Sequence, residues 1–285
     1  MSNPKDMSTY TQGHNPSVTQ SHAIRTAERD GGFLIPHLKP HFQILDIGCG
    51  PGSITTSLSR YVPSGSVTGV DLSPQVIDQA RAHLSTLQDV SNVSFQTGNV
   101  LEGLPFQDDT FDVVFCNQTL LHIPEPVKAM KEMRRVVKSR GGFLACREAD
   151  FPFRFHPLLP GVQQWMKYFY LMLYWPDATT VTDNPLPQYP PFGPEYRGGS
   201  LLHVWAREAG FDTANVKRGG SVTMEDPKWF ARVMTERIQD GTAEKFKKFG
   251  ATDDDIESMI SDFKAWSQDE DAWMAILQVE VLCFA

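Results

Sequence analysis

Cysteine is scarce in this 285-residue chain: Cys49, Cys116, Cys146 and Cys283 are dispersed and form no Cys-x-x-Cys pair. Three of the four lie in apolar runs, which reads as buried free thiols in a reducing cytosol. Basic excess is missing too. Lys and Arg number 26 against 34 Asp and Glu, and the net charge of −8 weighs against a general nucleic-acid-binding face. Long hydrophobic runs are absent. The longest apolar-aromatic stretch, about 168–175, falls far short of the roughly 20 residues that span a bilayer. The first twenty residues are polar and lack the apolar core of a secretory leader. Internal repeats and low-complexity tracts are not found. These absences predict a soluble, cytoplasmic chain with no nucleic-acid partner and no stable membrane insertion.

What is present is alternation. Short apolar runs at 43–47, 66–70, 93–96, 111–116 and 142–146 read as strands, with helical patterns between them. One helix is well specified: Ser73 can cap it, Pro74 suits its first position, and Val76, Ile77, Ala80, Leu84 and Leu87 share a face. Another starts at Pro126 and stops at Gly141-Gly142. This alternation predicts a parallel sheet covered on both faces. After Cys146 the regularity breaks into an aromatic stretch from Phe151 to Trp175 and a proline-rich loop. A helix is expected at about 199–209, a strand at 212–217, a charged helical block over 226–267 and a final strand at 273–284.

The richest segment is Ile44-Leu45-Asp46-Ile47-Gly48-Cys49-Gly50-Pro51-Gly52. An apolar strand ends in an acid, and glycines then keep the backbone bare at a helix start, as close approach of a nucleotide-type ligand requires. The spacing is Gly-x-Gly-x-Gly and departs from the Gly-x-Gly-x-x-Gly dinucleotide fingerprint. Asp71 ends the second strand, where a carboxylate can accept both hydroxyls of a ribose or cap the following helix. Gly98-Asn99-Val100 ends the third strand and Asn117-Gln118 the fourth.

This constellation resembles the class I S-adenosylmethionine-dependent methyltransferases, well over about 20–147 and loosely elsewhere. The resemblance implies a Rossmann-like α/β fold: a doubly wound, mostly parallel sheet with a final antiparallel strand beside the fifth, plus a helical and aromatic cap. It implies S-adenosyl-L-methionine as cofactor. Gly48, Cys49 and Gly50 would pass under its methionine part, Asp46 would lie near its amino group, and Asp71 and Leu72 would meet the ribose side. Gly98, Asn99 and Val100 would meet the adenine, with Asn117 and Gln118 completing the cofactor site. Asn99 stands where the commonest pattern has Asp; its amide oxygen still offers an acceptor. Arg25 resembles a cationic position that reaches the cofactor carboxylate, with a solvated helix arginine as the alternative.

Within that class, Leu120-Leu121-His122-Ile123-Pro124-Glu125-Pro126 resembles the small-molecule branch (methyltransferase type 11 and type 25 domains) that includes the ubiquinone and menaquinone biosynthesis enzymes. No Asn-Pro-Pro-Tyr sequence of nucleic-acid amino methylation occurs. His122 is the candidate base, or a loop histidine that packs or caps the next helix. Tyr10 is the second catalytic candidate, and with His14 it could orient an acceptor. Arg147, in a charge cluster through Asp150 at the crevice rim, is read as an acceptor contact or an ion pair. Trp165 and Phe169 are expected to be part core and part pocket wall. No metal site is expected.

The expected organisation is an arm or lid over 1–16, a cofactor-binding core over 17–150 and a cap insertion over 151–195. Core structure returns over 196–225, a helical cap insertion follows over 226–270, and 271–285 holds the last core strand. The expected reaction moves a methyl group to an O, N or S atom of an apolar or aromatic small molecule, in a monomer or homodimer. Two rivals are a cofactor-retaining protein that catalyses a rearrangement and a non-catalytic regulator.

Overall fold

The computed structural model describes residues 24–174 and 198–285. Seven strands form one sheet in the order β3-β2-β1-β4-β5-β7-β6. They are β1 (Gln43–Ile47), β2 (Ser66–Asp71), β3 (Val93–Thr97), β4 (Val113–Asn117), β5 (Phe143–His156), β6 (Val216–Thr223) and β7 (Trp273–Phe284). β1 to β5 pair in parallel, and β7 runs antiparallel between β5 and β6. This is the doubly wound sheet with a late antiparallel strand beside the fifth that the sequence predicts. Strand order reverses between β1 and β4, which opens a crevice at their carboxyl ends.

Helices cover both faces. On one, α1 (Ala27–Asp30), α2 (Ser53–Leu58) and α3 (Pro74–Ser85) pack on residues such as Ile44, Val67, Phe95 and Phe115. On the other, α4 (Pro126–Val136) and α6 (Leu202–Glu208) cover Leu45, Val114, Leu144 and Val281. The predicted start of α3 is realised in detail: Ser73 Oγ accepts from Val76 N, and Pro74 opens the helix. The four cysteines are buried and free.

Two expectations fail at the sheet's far side. β5 does not stop at Cys146 but runs to His156, pairing with β7 from Phe143↔Phe284 to His156↔Trp273, with an irregularity between Asp150 and Arg154. That irregularity accommodates Pro152 in a strand that proline would otherwise terminate. The strand expected at 212–217 is β6, displaced to 216–223, because Asp212 instead accepts from Ala214 N and starts a short 3-10 turn.

The overrun of β5 and β7 is a two-stranded ribbon projecting beyond the sheet. Around it pack α5 (Pro160–Tyr174), α7 (Pro227–Arg237), α8 (Ala243–Lys248) and α9 (Asp253–Trp266). Phe151, Phe169, Phe230, Phe263 and Trp266 are buried there together, with Phe153 and Phe155 against them. Trp266 Nε1 donates to His156 O at 2.9 Å, so the one polar atom of that ring is satisfied by the ribbon itself. No described helix is long and apolar enough to cross a membrane.

Candidate active site

The glycine turn between β1 and α2 is built by positive φ at Gly48 (70°), Gly50 (55°) and Gly52 (81°). Gly48 N and Cys49 N both donate to Val70 O, at 2.8 and 3.1 Å, which fastens the turn to β2. A Cβ at Gly48 would lie 2.3 Å from Thr119 Oγ1, whereas one at Gly50 would meet nothing within 4 Å. Gly48 is therefore closed against the chain, and Gly50 presents bare backbone to open space.

Asp71 at the end of β2 holds the same turn from the side. Its Oδ2 accepts from Gly50 N at 3.1 Å and its Oδ1 from Ser73 N at 3.0 Å. Leu72 beside it is 41% exposed, an apolar surface left uncovered next to the carboxylate. On β3's exit, Gly98 N donates to Asp71 O, and Asn99 Oδ1 accepts from Leu101 N at 3.0 Å to shape its loop. Gly98 has no room for a side chain, since a Cβ would lie 2.9 Å from Val70 Cγ1. Val100 and Cys49 are buried. The Cys49 thiol packs with Ile77, Ala80 and Phe95, and burial pushes it well above its ordinary range, so this residue faces the crevice with backbone alone.

Asp46 is buried and accepts from Thr55 Oγ1 at 2.6 Å. Burial, aided by the Asp71 charge, pushes its carboxyl up to about 7 against the opposing Thr55 bond. A carboxyl raised in the folded state favours folding while protonated. That contribution is full below the ordinary aspartate range and is lost as pH rises through 7. The melting temperature without ligand is therefore expected to fall between pH 5 and 8, and Asp46→Asn to flatten part of that fall in thermal scans.

Asn117 and Arg147 face one another across β4 and β5. Arg147 is buried, not at an exposed rim. Its Nη1 meets Asn117 Oδ1 at 3.2 Å and Asp30 Oδ1 at 3.3 Å, and its Nη2 donates to Thr223 Oγ1 at 2.8 Å. Glu280 Oε1 stands 3.5 Å from its Nε. Those partners knit α1, β4, β6 and β7 beneath the crevice, an ion-pair role. Asn117 Nδ2 is buried with no hydrogen-bond partner among the described residues, a donor left open at the carboxyl end of β4. Gln118, at φ 55°, donates from Nε2 to Gln278 Oε1 at 2.5 Å.

His122 ends a 3-10 turn, Leu120–His122, immediately after β4. Desolvation first, and then the nearby Arg25 cation, pushes its imidazole down to about 3. Arg25 is half-buried and acts electrostatically on Glu148, Arg147 and Glu225 as well, which places it at the same end of the sheet. Trp165 and Phe169 stack at 4.9 Å within the aromatic cluster. Both are buried, and both line a small cavity with Met172, Met234, Arg237 and Ile238 that has room for roughly one water. Tyr10 and His14 lie outside the described residues. Among the described residues no group of three or more His, Cys, Asp or Glu could hold a metal ion.

Two residues of this site, Asp30 and Thr119, escape a reading of the sequence, and Glu148 enters it only within the charge cluster from Arg147 to Asp150. Glu148 is fully buried, and its Oε1 accepts from Thr119 N at 2.8 Å and Leu120 N at 2.7 Å. Within a run reading Arg-Glu-Ala-Asp it looks like solvated charge, and only its register position on β5, one residue past Arg147, buries it.

A family model described as a methyltransferase domain matches residues 38–182. A probable methyltransferase of Aspergillus luteorubrus is 32% identical over 294 residues, covering 96% of this chain and 96% of that protein. An uncharacterized methyltransferase of Schizosaccharomyces pombe is 32% identical over 279 residues, covering 94% of each. A demethylmenaquinone methyltransferase of Staphylococcus aureus is 38% identical over 109 residues, 38% of this chain and 43% of that protein. Among solved structures, a putative methyltransferase from Bacillus halodurans shares the fold with a TM-score of 0.52 at 17% identity, covering 95% of this chain and 99% of that one.

Proposed function

The chain belongs to the S-adenosylmethionine-dependent methyltransferases, and on that premise we propose that it moves the methyl group to an O, N or S atom of an apolar or aromatic small molecule. The observation that carries the donor side is the cradle itself: bare backbone at Gly50 facing open space, with Asp71 bonded to its edge. The donor set fits an amino-acid-bearing nucleoside. Asp71 offers acceptor oxygens to a ribose, Leu72 an apolar face to a purine, and Asp46 an acid to an ammonium. Asn117 Nδ2 adds an open donor and Arg25 a cation for a carboxylate. For the acceptor, the support is the aromatic and aliphatic cluster of α5, α7 and α9 against the carboxyl side of β5.

When bound, S-adenosylmethionine supplies an electrophilic methyl carbon on a sulfonium. The chain's part is to place an acceptor atom in line with that carbon and to exclude water. Gly50, Asp71 and Asn117 would hold that donor, and the proton of a neutral acceptor would leave to bulk solvent as the methyl carbon parted from sulfur. His122, held near 3, is too weak a base to take that proton from a neutral hydroxyl at pH 7. In this reading its imidazole stays neutral and orients the acceptor by hydrogen bonding.

Isothermal titration with S-adenosylhomocysteine tests the donor site, and binding is expected. Incubation of methyl-labelled donor with a panel of quinols, phenols, amines and thiols tests the reaction. Label is expected in an apolar or aromatic member. No binding of the product cofactor overturns the reading, and so does turnover that leaves the label on the donor.

A further inference from the structure

The turn that carries His122 has no cap of its own. Its leading residue, Thr119, makes no side-chain capping bond, and Gln118 before it sits at positive φ. Thr119 Oγ1 is engaged elsewhere, donating to Ile47 O at 3.3 Å or Asn117 O at 3.2 Å. The N–H groups that open a helical turn need acceptors. Here they find one on a different strand: Glu148 Oε1 on β5 takes the N–H groups of both Thr119 and Leu120, at 2.8 and 2.7 Å. The second oxygen, Oε2, is buried with no partner among the described residues.

We propose that Glu148 is the positioning residue of this turn, an external cap that holds it firmly as a carboxylate and loosely once protonated. Bonds from N–H to a charged oxygen are roughly twice as strong as those to a neutral one. A proton on Oε2 leaves Oε1 a neutral carbonyl facing the same two donors, and the turn loses part of its hold. Thr119 stands against Gly48, so the same contacts link the turn that carries His122 to the glycine turn.

The surroundings set where the change falls. Burial pushes Glu148 up, the backbone N–H bonds and the Arg25 cation pull it back, and the balance lies at about 7. The ionisable groups that act with it are Arg25 from the segment before α1 and Cys116 on β4; Arg147 is next to it on β5, and His122 ends the turn that it caps. Burial holds the Cys116 thiol well above its ordinary range, and His122 stays neutral above about 3. Asp46, which like Glu148 acts on Cys116, is the other group here that changes charge near 7.

The functional meaning of this cap rests on the proposed methyl transfer, but its test does not need an acceptor. In protein labelled with 15N at threonine and leucine, the amide signals of Thr119 and Leu120 are followed from pH 5.5 to 8.5. They are expected to move upfield together on acidification with one midpoint near 7. In Glu148→Gln, whose amide oxygen can still accept, the two signals are expected to be pH-independent. Amides that stay fixed in the wild-type chain overturn the inference even if the variant does not fold. A Glu148→Gln chain that keeps the wild-type midpoint overturns it as well, since Asp46 or another group would then be the source. S-adenosylhomocysteine binding by the wild-type chain is measured separately. Its loss overturns the proposed function and leaves the cap to be judged by the titration.

Discussion

Asp71→Ala is expected to weaken binding of S-adenosylhomocysteine by about a hundredfold or more. Two bonds from ribose hydroxyls to a carboxylate contribute roughly 1.5–3 kcal/mol each, and about 1.4 kcal/mol is a factor of ten. The loss has a second source within the chain. The same carboxylate holds Gly50 N and Ser73 N, so the alanine variant also frees the edge of the glycine turn and the entry to α3. Asp71→Asn separates the two. Its amide oxygen can keep one of those backbone bonds, and a loss of about tenfold is expected. Isothermal titration of the three chains checks the order wild type, Asn, Ala. Equal affinity across the three would remove Asp71 from the donor site.

The glycine turn gives the second large effect, with opposite consequences at two positions. At Gly48, φ is 70° and a Cβ would lie 2.3 Å from Thr119 Oγ1 and 2.6 Å from its Cγ2. Left-handed strain and overpacking add up to roughly 3 kcal/mol. Gly48→Ala is therefore expected to shift the urea midpoint markedly downward. At Gly50 the φ of 55° costs an alanine only about 1 kcal/mol, because the space beyond it is open. That space is where the donor is proposed to lie. Gly50→Ala is expected to unfold near the wild-type midpoint and to bind S-adenosylhomocysteine more than tenfold more weakly. If Gly50→Ala bound normally, the donor would have to approach from elsewhere.

The local half of this architecture can be read directly from the residues. Gln43–Ile47 is a strand with the predicted bounds because Ile44, Leu45 and Ile47, buried on both faces, have few alternatives. The Ser73-Pro74 helix start is equally local. What escapes is set by pairing. Phe151, Phe153 and Phe155 do alternate with polar neighbours at the strand period, but Pro152 between them reads as a stop. Only the bulged pairing with β7 lets the strand continue. β6 is an exposed edge strand containing Gly219-Gly220, and its extent is decided by β7 beside it.

The candidate site divides in the same way. Asp46, the glycines, Asp71 and Asn99 sit at strand ends, so order along the chain is enough to collect them. Arg147 and Glu148 needed the register of β5 on β4 to show that one is locked among Asp30, Asn117 and Thr223 and the other is folded inward under the next turn. Their burial is a property of the sheet, invisible in a run of charged letters.

The long ribbon has a mechanical consequence. β5 has fourteen residues, which at roughly 3.3 Å each reach about 46 Å, and one unbranched strand thus passes from the floor of the donor crevice into the middle of the aromatic cluster. Its pairing with β7, resumed past the irregularity between Asp150 and Arg154, couples the two halves as a jointed girder. Helices α5, α7 and α9 pack on that ribbon through its aromatic side chains, so swinging them aside together would bare Phe151, Phe153 and Phe155. The bend at Ile238–Thr242 between α7 and α8, where Gly241 adopts φ 116°, is a joint crossed by no strand. Stiffness along the girder and compliance at such a joint would let the chemistry of the acceptor drift in evolution while the donor cradle stays still.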